Sequence, residues 1–295
     1  MQTGNDCLVC FMRQVLTTVK LCSQDPELQR RVLTRVGAML EDFPAEASPP
    51  ENAAAYYRLI AEMTGVADPF AEIKDQANRL ALSMEPAMSA AVAQAADPLL
   101  AAIRFAIGAN VLDNGAQRQL DLDTTLAECQ QGGLAIDHYP QLEAALARRP
   151  RVLYLADNCG EIVFDKQVIR VLLERGCSLT LAVRASPVIN DATLEDARFC
   201  GLEELCPVIS NGADVPGTSL ERCSAEFRQA FAGAELIISK GMGNFECLSE
   251  ARAPIVFLFT VKCSSVLAHL RADHPQADLR IGSAVLLASE TLQAG

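Results

Sequence analysis

The chain has 295 residues, 50% of them hydrophobic and 21% charged, the balance of a folded protein with material for one large core or two ordinary ones. Acids outnumber bases to a formal charge of −12, which argues against a nucleic-acid backbone or an anionic membrane as the main partner, since both are bound through clustered cations. An anionic small substrate stays open, provided that a metal, a lysine or a helix N-terminus supplies local positive charge.

The first 145 or so residues read as helices. Cys7, Cys10, Phe11, Val15, Val19 and Cys22 recur at the spacing of one helical face. Asp25-Pro26-Glu27 places an N-cap, a proline at the first helical position and an early acid ahead of a helix to about Met39. Ser48-Pro49-Pro50 breaks the chain, and helical periodicity resumes from Glu51 to Met63. Asp68-Pro69 and Asp97-Pro98 repeat the start signal, the second of these helices running into Ala109. The reading is an all-helical N-terminal region over residues 1–148.

The texture changes at Arg151. Val152 to Ala156 is a short apolar run ending in Asp157-Asn158-Cys159-Gly160, and a helical pattern follows from Glu161 to Glu174, closed by Gly176. A second apolar run spans Leu179 to Val183, and Glu235 to Ser239 and Ile255 to Phe259 supply two more. Strand, helix and strand at this spacing predict an α/β unit with a mainly parallel sheet over residues 149–295. Ile255 to Phe259 is far short of the ~20 apolar residues of a membrane span. Asn5 and Asp6, with no basic stretch beside them, predict no secretory signal. Eleven cysteines, an odd number scattered through apolar segments, fit reduced core thiols in the cytoplasm.

Polar residues cluster where the predicted strands end, the edge at which open α/β sheets bind ligands. Asp157 and Asn158 read either as caps of the next helix or as two hard oxygen ligands for an ion such as Mg²⁺. Asn190-Asp191-Ala192-Thr193 follows the next strand, and again Asp191 reads as a cap or as a second acid reaching the same ion. Paired carboxylates in a cleft repel, which favours a cation between them. In Ser239-Lys240-Gly241-Met242-Gly243-Asn244-Phe245-Glu246, a lysine ends a strand and two glycines allow close approach of a ligand. Lys262-Cys263 repeats the cation at a strand end. Two lysines and two acids on neighbouring ends make a mixed-charge crevice suited to a phosphate–metal complex. Cys7 and Cys10 share the face of Phe11 and Val15 and read as buried structural thiols, with metal or redox work the alternative. Cys159 sits where a helix N-terminus would lower its pKa, but no histidine is placed to activate it.

Together these residues resemble the damage-control phosphatase family, long known as a domain of unknown function and also described as protein-glutamate methyltransferase-like. The resemblance rests on Asp157-Asn158-x-Gly160-Glu161, Asn190-Asp191-Ala192-Thr193, Lys240-Gly241-x-Gly243-Asn244-Phe245-Glu246 and Lys262-Cys263. Ala109-Asn110-x-x-Asp113 and Cys7-x-x-Cys10 extend it over nearly the whole chain, the last pair as in a prokaryotic subfamily. Cys159 and Met242 depart from the pattern, which favours a small and a polar residue there.

The resemblance implies a Rossmann-like αβα sandwich behind a helical region, and hydrolysis of small phosphorylated metabolites, damaged or side-product sugar or cofactor phosphates. It implies a divalent ion (Mn²⁺, Co²⁺, Ni²⁺ or Mg²⁺) held by Asp157, Asn158 and Asp191, with Asp157, Asp191 and Lys240 catalytic. Lys240 would hold the phosphate, and Glu161, Gly241, Asn244, Lys262, Asn110 and Asp113 would line the substrate pocket. Two other readings remain: a carboxyl methyltransferase using S-adenosylmethionine, disfavoured by the glycine-poor turn at Asp157-Asn158, and a non-enzymatic metal-binding or redox protein centred on Cys7 and Cys10.

Overall fold

The computed structural model describes residues 1–109 and 133–293, so the expected site residues Asn110 and Asp113 lie outside the described residues. Helices α1 (Asn5–Cys22), α2 (Pro26–Met39) and α3 (Pro49–Thr64) enclose an apolar cluster of their own around Phe11, Val15, Val32, Tyr56 and Ile60. Asp25 caps α2 as its sequence signals, accepting from the Glu27 N–H at 2.9 Å. Cys7 is buried in this cluster, but Cys10 is exposed, which corrects the expectation that both thiols are buried. The buried stripe of α1 runs through Cys7, Phe11, Val15, Thr18 and Val19, and Cys10, turned about 60° from Cys7 away from that stripe, falls outside it.

Helices α4 (Ala71–Gln94) and α5 (Pro98–Gly108) do not join that cluster. Met84, Met88, Leu99, Ile103 and Phe105 instead share one core with sheet residues Tyr154, Ile238 and Leu258. The chain then forms β1 (Leu134–Asp137), a strand inside the region expected to be helical throughout, followed by α6 (Tyr139–Leu146). Beyond it come β2 (Arg151–Leu155), α7 (Glu161–Glu174), β3 (Ser178–Val183), α8 (Leu194–Phe199), β4 (Val208–Ser210) and α9 (Ala225–Gly233). The remainder is β5 (Leu236–Lys240), α10 (Met242–Leu248), β6 (Ile255–Thr260), α11 (Ser264–Asp273), β7 (Ala284–Ala288) and a last turn, α12 (Glu290–Gln293).

The seven strands run in the order β1-β7-β6-β5-β2-β3-β4, all parallel except for the β6–β7 pair. One face packs on α4, α5 and α7; the other packs on Phe227 and Phe231 of α9, Phe245 of α10, and Val266 and Leu270 of α11. The result is an α/β sandwich with a mainly parallel sheet. β1, β4 and β7 carry weak sequence signals. β4 has three residues, all half-buried, and Ala-Val-Leu-Leu-Ala of β7 suits a helix as well as a strand.

The strand order fixes where a ligand site can lie. From β2 the chain moves outward through β3 to β4, and from β5 it moves the other way to β6. β2 and β5 are neighbours whose following connections diverge, so a crevice opens at their carboxyl ends. Asp157 and Asn158 follow β2, and Gly241 follows β5.

Candidate active site at the sheet's switch point

β2 ends at Leu155, and the backbone continues for five residues before α7 begins. Gly160 makes the turn with φ +77°, and a Cβ there would stand 3.1 Å from the Ala77 carbonyl oxygen of α4. Its N–H donates to Asn78 Oδ1 at 2.7 Å, so α4 holds the turn from outside the sheet. Among the described residues no side chain caps α7, which leaves Asp157 and Asn158 outside the capping role. Asn158 Nδ2 instead donates to Glu161 Oε1 at 3.3 Å.

Asp191 arrives by a route the sequence conceals. The residue at the end of β3 is Arg184, after which the chain loops out and returns. Asn158 pairs antiparallel with Asp191, and Arg184 pairs parallel with Thr193. The Ala192 N–H donates to the Asp157 carbonyl at 2.8 Å, and the Cys159 N–H to the Asn190 carbonyl at 2.8 Å. The returning segment therefore lies against the end of β2, which sets Asp191 beside Asp157. Asp191 does not open α8; Thr193 does, with Asp196 accepting from its N–H at 2.9 Å.

Arg184, which the sequence reading passed over, is buried between the two acids. Its Nε donates to Asp191 Oδ2 at 2.5 Å, its Nη2 to Asp157 Oδ1 at 3.3 Å and its Nη1 to Thr218 Oγ1 at 3.2 Å. The signal available in the sequence was an arginine at the end of an apolar strand. Burial, reinforced by the charge of Asp191, pushes the Asp157 carboxyl up to about 7, against the pull of Arg184, Lys262 and Lys240. Burial also raises Asp191, against the pull of Arg184.

Lys240 lies deeper, 1% exposed, with its Nζ 2.9 Å from Asp165 Oδ1 and 3.3 Å from Glu161 Oε2. Burial pulls its ammonium down, but Asp165 and Glu161 outweigh that and hold it above its ordinary value. Asp165 also accepts from the Tyr154 hydroxyl at 2.8 Å. Asn244 is fully buried and stitches the two strand ends together, donating to the carbonyls of Ala156 (3.1 Å) and Lys240 (2.7 Å). Its Oδ1 accepts from Thr218 at 2.8 Å. Lys262 is exposed, and its charge reaches both Asp157 and Asp191. Met242, at the position expected to be polar, accepts the Lys262 N–H through its sulfur at 3.4 Å. Gly241 has φ +82° and packs directly on the Asp157 carboxylate, so any Cβ would overlap it. Cys159 is buried, and burial with the Asp196 charge raises its thiol instead of lowering it, the reverse of the helix-terminus expectation.

The structure thus gathers Asp157, Asn158, Asp191, Glu161, Lys240, Gly241 and Asn244 at one crevice, with Lys262 at its rim. Four acids at the crevice and directly behind it (Asp157, Glu161, Asp165, Asp191) and two cations (Arg184, Lys240) are buried. With all four carboxyls ionised the formal balance is two negative charges, which one divalent ion would offset. Two carboxylates and an amide oxygen on adjoining backbone are hard donors suited to such an ion. Among the described residues, no three His, Cys, Asp or Glu side chains gather as a metal-holding group, and the expected set has only two such side chains, Asp157 and Asp191, beside the Asn158 amide. Among the described residues no helix is long and apolar enough to cross a membrane.

The chain is similar to known proteins along most of its length. Residues 3–276 match the profile of the damage-control phosphatase ARMT1-like domain. A damage-control phosphatase of Archaeoglobus fulgidus is 32% identical over 267 residues, 88% of this chain and 92% of that one. One from Pyrococcus horikoshii is 31% identical, over 92% of this chain and 95% of its own. The crystal structure of a DUF89 family protein from Pyrococcus horikoshii superposes with a TM-score of 0.89 at 30% identity, covering 98% of this chain and 100% of that one.

Proposed function

The chain belongs to the damage-control phosphatase ARMT1-like family, and from that premise we propose that it is a divalent-metal-dependent phosphatase of small phosphorylated metabolites. The observation that carries the metal reading is the charge left over at the switch point, where four buried acids face two buried cations. Asp157, Asn158 and Asp191 would hold the ion. When bound, it supplies Lewis acidity toward a phosphoryl oxygen and offsets negative charge that protonation of Asp157 otherwise relieves.

The protein's own residues have separate tasks in this reading. Arg184 keeps Asp157 and Asp191 pointed at the same space, one oxygen of each engaged. Lys240 pairs with Glu161 and Asp165 behind them. Gly241 leaves the room that Asp157 occupies, and Asn244 locks the ends of β2 and β5 at fixed separation. Lys262, exposed at the rim, would add its charge toward an incoming phosphate, with Lys240 adding its own from below.

The test is phosphate release from a broad panel of phosphate esters after chelation and reloading with Mn²⁺, Co²⁺, Ni²⁺ or Mg²⁺ in turn. Activity is expected only in the reloaded samples and is expected to vanish in Asp157→Ala. A fully loaded protein inert across the panel would sink the proposal.

A further inference from the structure

A cavity of about 160 Å³ opens between the helical region and the loop joining β3 to α8, the loop that leads into Asp191. Thr18 of α1, Tyr57 and Ala61 of α3, Phe70 ahead of α4, and Pro187 and Ile189 of the loop form its walls. Three observations tie it to the switch-point site. Ile189 is two residues from Asp191 in the segment that turns back onto β2. The Tyr57 phenol, raised chiefly by burial, is raised further by the charge of Asp191, which places that charge within electrostatic reach of the cavity. Ile189 is held at φ +41°, a left-handed conformation rare for a β-branched side chain and typical of backbone constrained at a functional site.

The lining defines what would fit. Alanine, valine, isoleucine, proline and phenylalanine dominate it. Its charged groups are already committed: Arg58 pairs with Asp214 at 2.8 Å, and Asp68 with Lys74 at 2.6 Å. A polyhydroxylated sugar would leave several hydroxyls without partners there, which disfavours its burial. The volume also falls below the ~300–1,000 Å³ of pockets that take a whole drug-sized ligand, so one end of a molecule is accommodated.

Building on the phosphatase reading above, we propose that this cavity is the subsite for the alcohol half of the substrate, and that it selects phosphate monoesters of compact, ring-bearing, largely apolar alcohols over hexose phosphates. Thr18 and Tyr57 would supply its few polar contacts, and the Pro187–Ile189 tip its apolar wall.

The experiment compares kcat/KM for benzyl phosphate, glucose 6-phosphate and methyl phosphate on the full-length, metal-loaded protein. Benzyl phosphate is expected to exceed glucose 6-phosphate by about 10-fold or more, the scale on which an apolar pocket discriminates. Ala61→Phe, which fills the cavity, is expected to collapse that ratio toward unity by raising KM for benzyl phosphate. Phe70→Ala, which removes a wall, should also lower it and serves if the first variant does not fold. A wild-type ratio at or below unity, or a ratio unmoved in a folded variant, overturns the inference while leaving the phosphatase reading intact. Turnover of none of the three esters, methyl phosphate included, removes the phosphatase reading and the subsite with it.

Discussion

At Gly241 the site depends on the absence of one methyl group. A Cβ there overlaps the Asp157 carboxylate, and φ +82° strains any other residue. Gly241→Ala is expected to cost on the order of 3 kcal/mol from overpacking and backbone strain together, read as a lowered melting temperature, and to weaken metal binding in calorimetry. An alanine variant as stable as the wild type would show that Asp157 moves aside freely. Glu246 makes a second residue-scale test. Burial raises its carboxyl from 4.5 to about 7, the N-terminal ammonium opposing and Asp157 adding to the rise. For a carboxyl raised on folding, the stabilising contribution is complete below the unfolded value and is lost as pH climbs through the folded one. Glu246→Gln removes that loss. Its stability relative to wild type should therefore improve between pH 5 and pH 8, by up to about 3 kcal/mol in denaturant titrations. At this scale Asp157 and Asn158 were legible, since two polar residues after a buried strand stand out. Arg184 was not, because an arginine following a strand reads as a solvated charge until its two acidic partners are placed.

The elements around the site explain how those partners arrive. α4, from the helical half, reaches two site segments through one side chain: Asn78 accepts from Gly160 N–H at 2.7 Å and donates to Asp196 Oδ1 at 3.0 Å. Asn78 is buried, so Asn78→Ala strands the Gly160 donor and is expected to cost about 1–3 kcal/mol in equilibrium unfolding. If the α7 turn were held by its own sequence alone, the variant would unfold at the wild-type midpoint. The helix start signals at Asp25-Pro26 and Asp97-Pro98 were legible, and both aspartates accept from first-turn N–H groups. The signal at Asp68-Pro69 is displaced: Asp68 accepts from the Phe70 N–H at 3.0 Å, and α4 begins only at Ala71. β1 was misread as part of a helical run because a four-residue, half-buried edge strand shows too little alternation to carry a signal.

Across the whole molecule, the split into a helical region over 1–148 and an α/β unit over 149–295 meets a packing fact. Met84, Met88, Leu99, Ile103 and Phe105 are almost wholly buried in the same core as the sheet, and β1 pairs with β7. A fragment comprising residues 149–295 would expose that face of the sheet and its α7 helix to water. It is expected to lack a cooperative unfolding transition and to bind an apolar dye, whereas the full chain melts cooperatively. Cooperative melting of the fragment would restore the simple division. The cavity under the β3–α8 loop belongs to this scale too, since its walls come from α1, α3 and that loop.

The sequence by itself determined the α/β class, the parallel strands β2, β3, β5 and β6, most helix starts and the polar residues at strand ends, because periodicity, capping chemistry and burial are local properties of the chain. Tertiary structure alone decided that β2 and β5 are neighbours with diverging connections, which turns separate polar clusters into one crevice. It also decided that the segment after β3 folds back to bring Asp191 against Asn158, with Arg184 between the acids. Apart from Arg184 with Asp191, 7 positions apart, those arrangements depend on pairings between residues 27 and more positions apart, such as Asp157 with Arg184. A pairing at that range is set by which buried surfaces and charges satisfy one another, and it leaves no periodic trace in the chain.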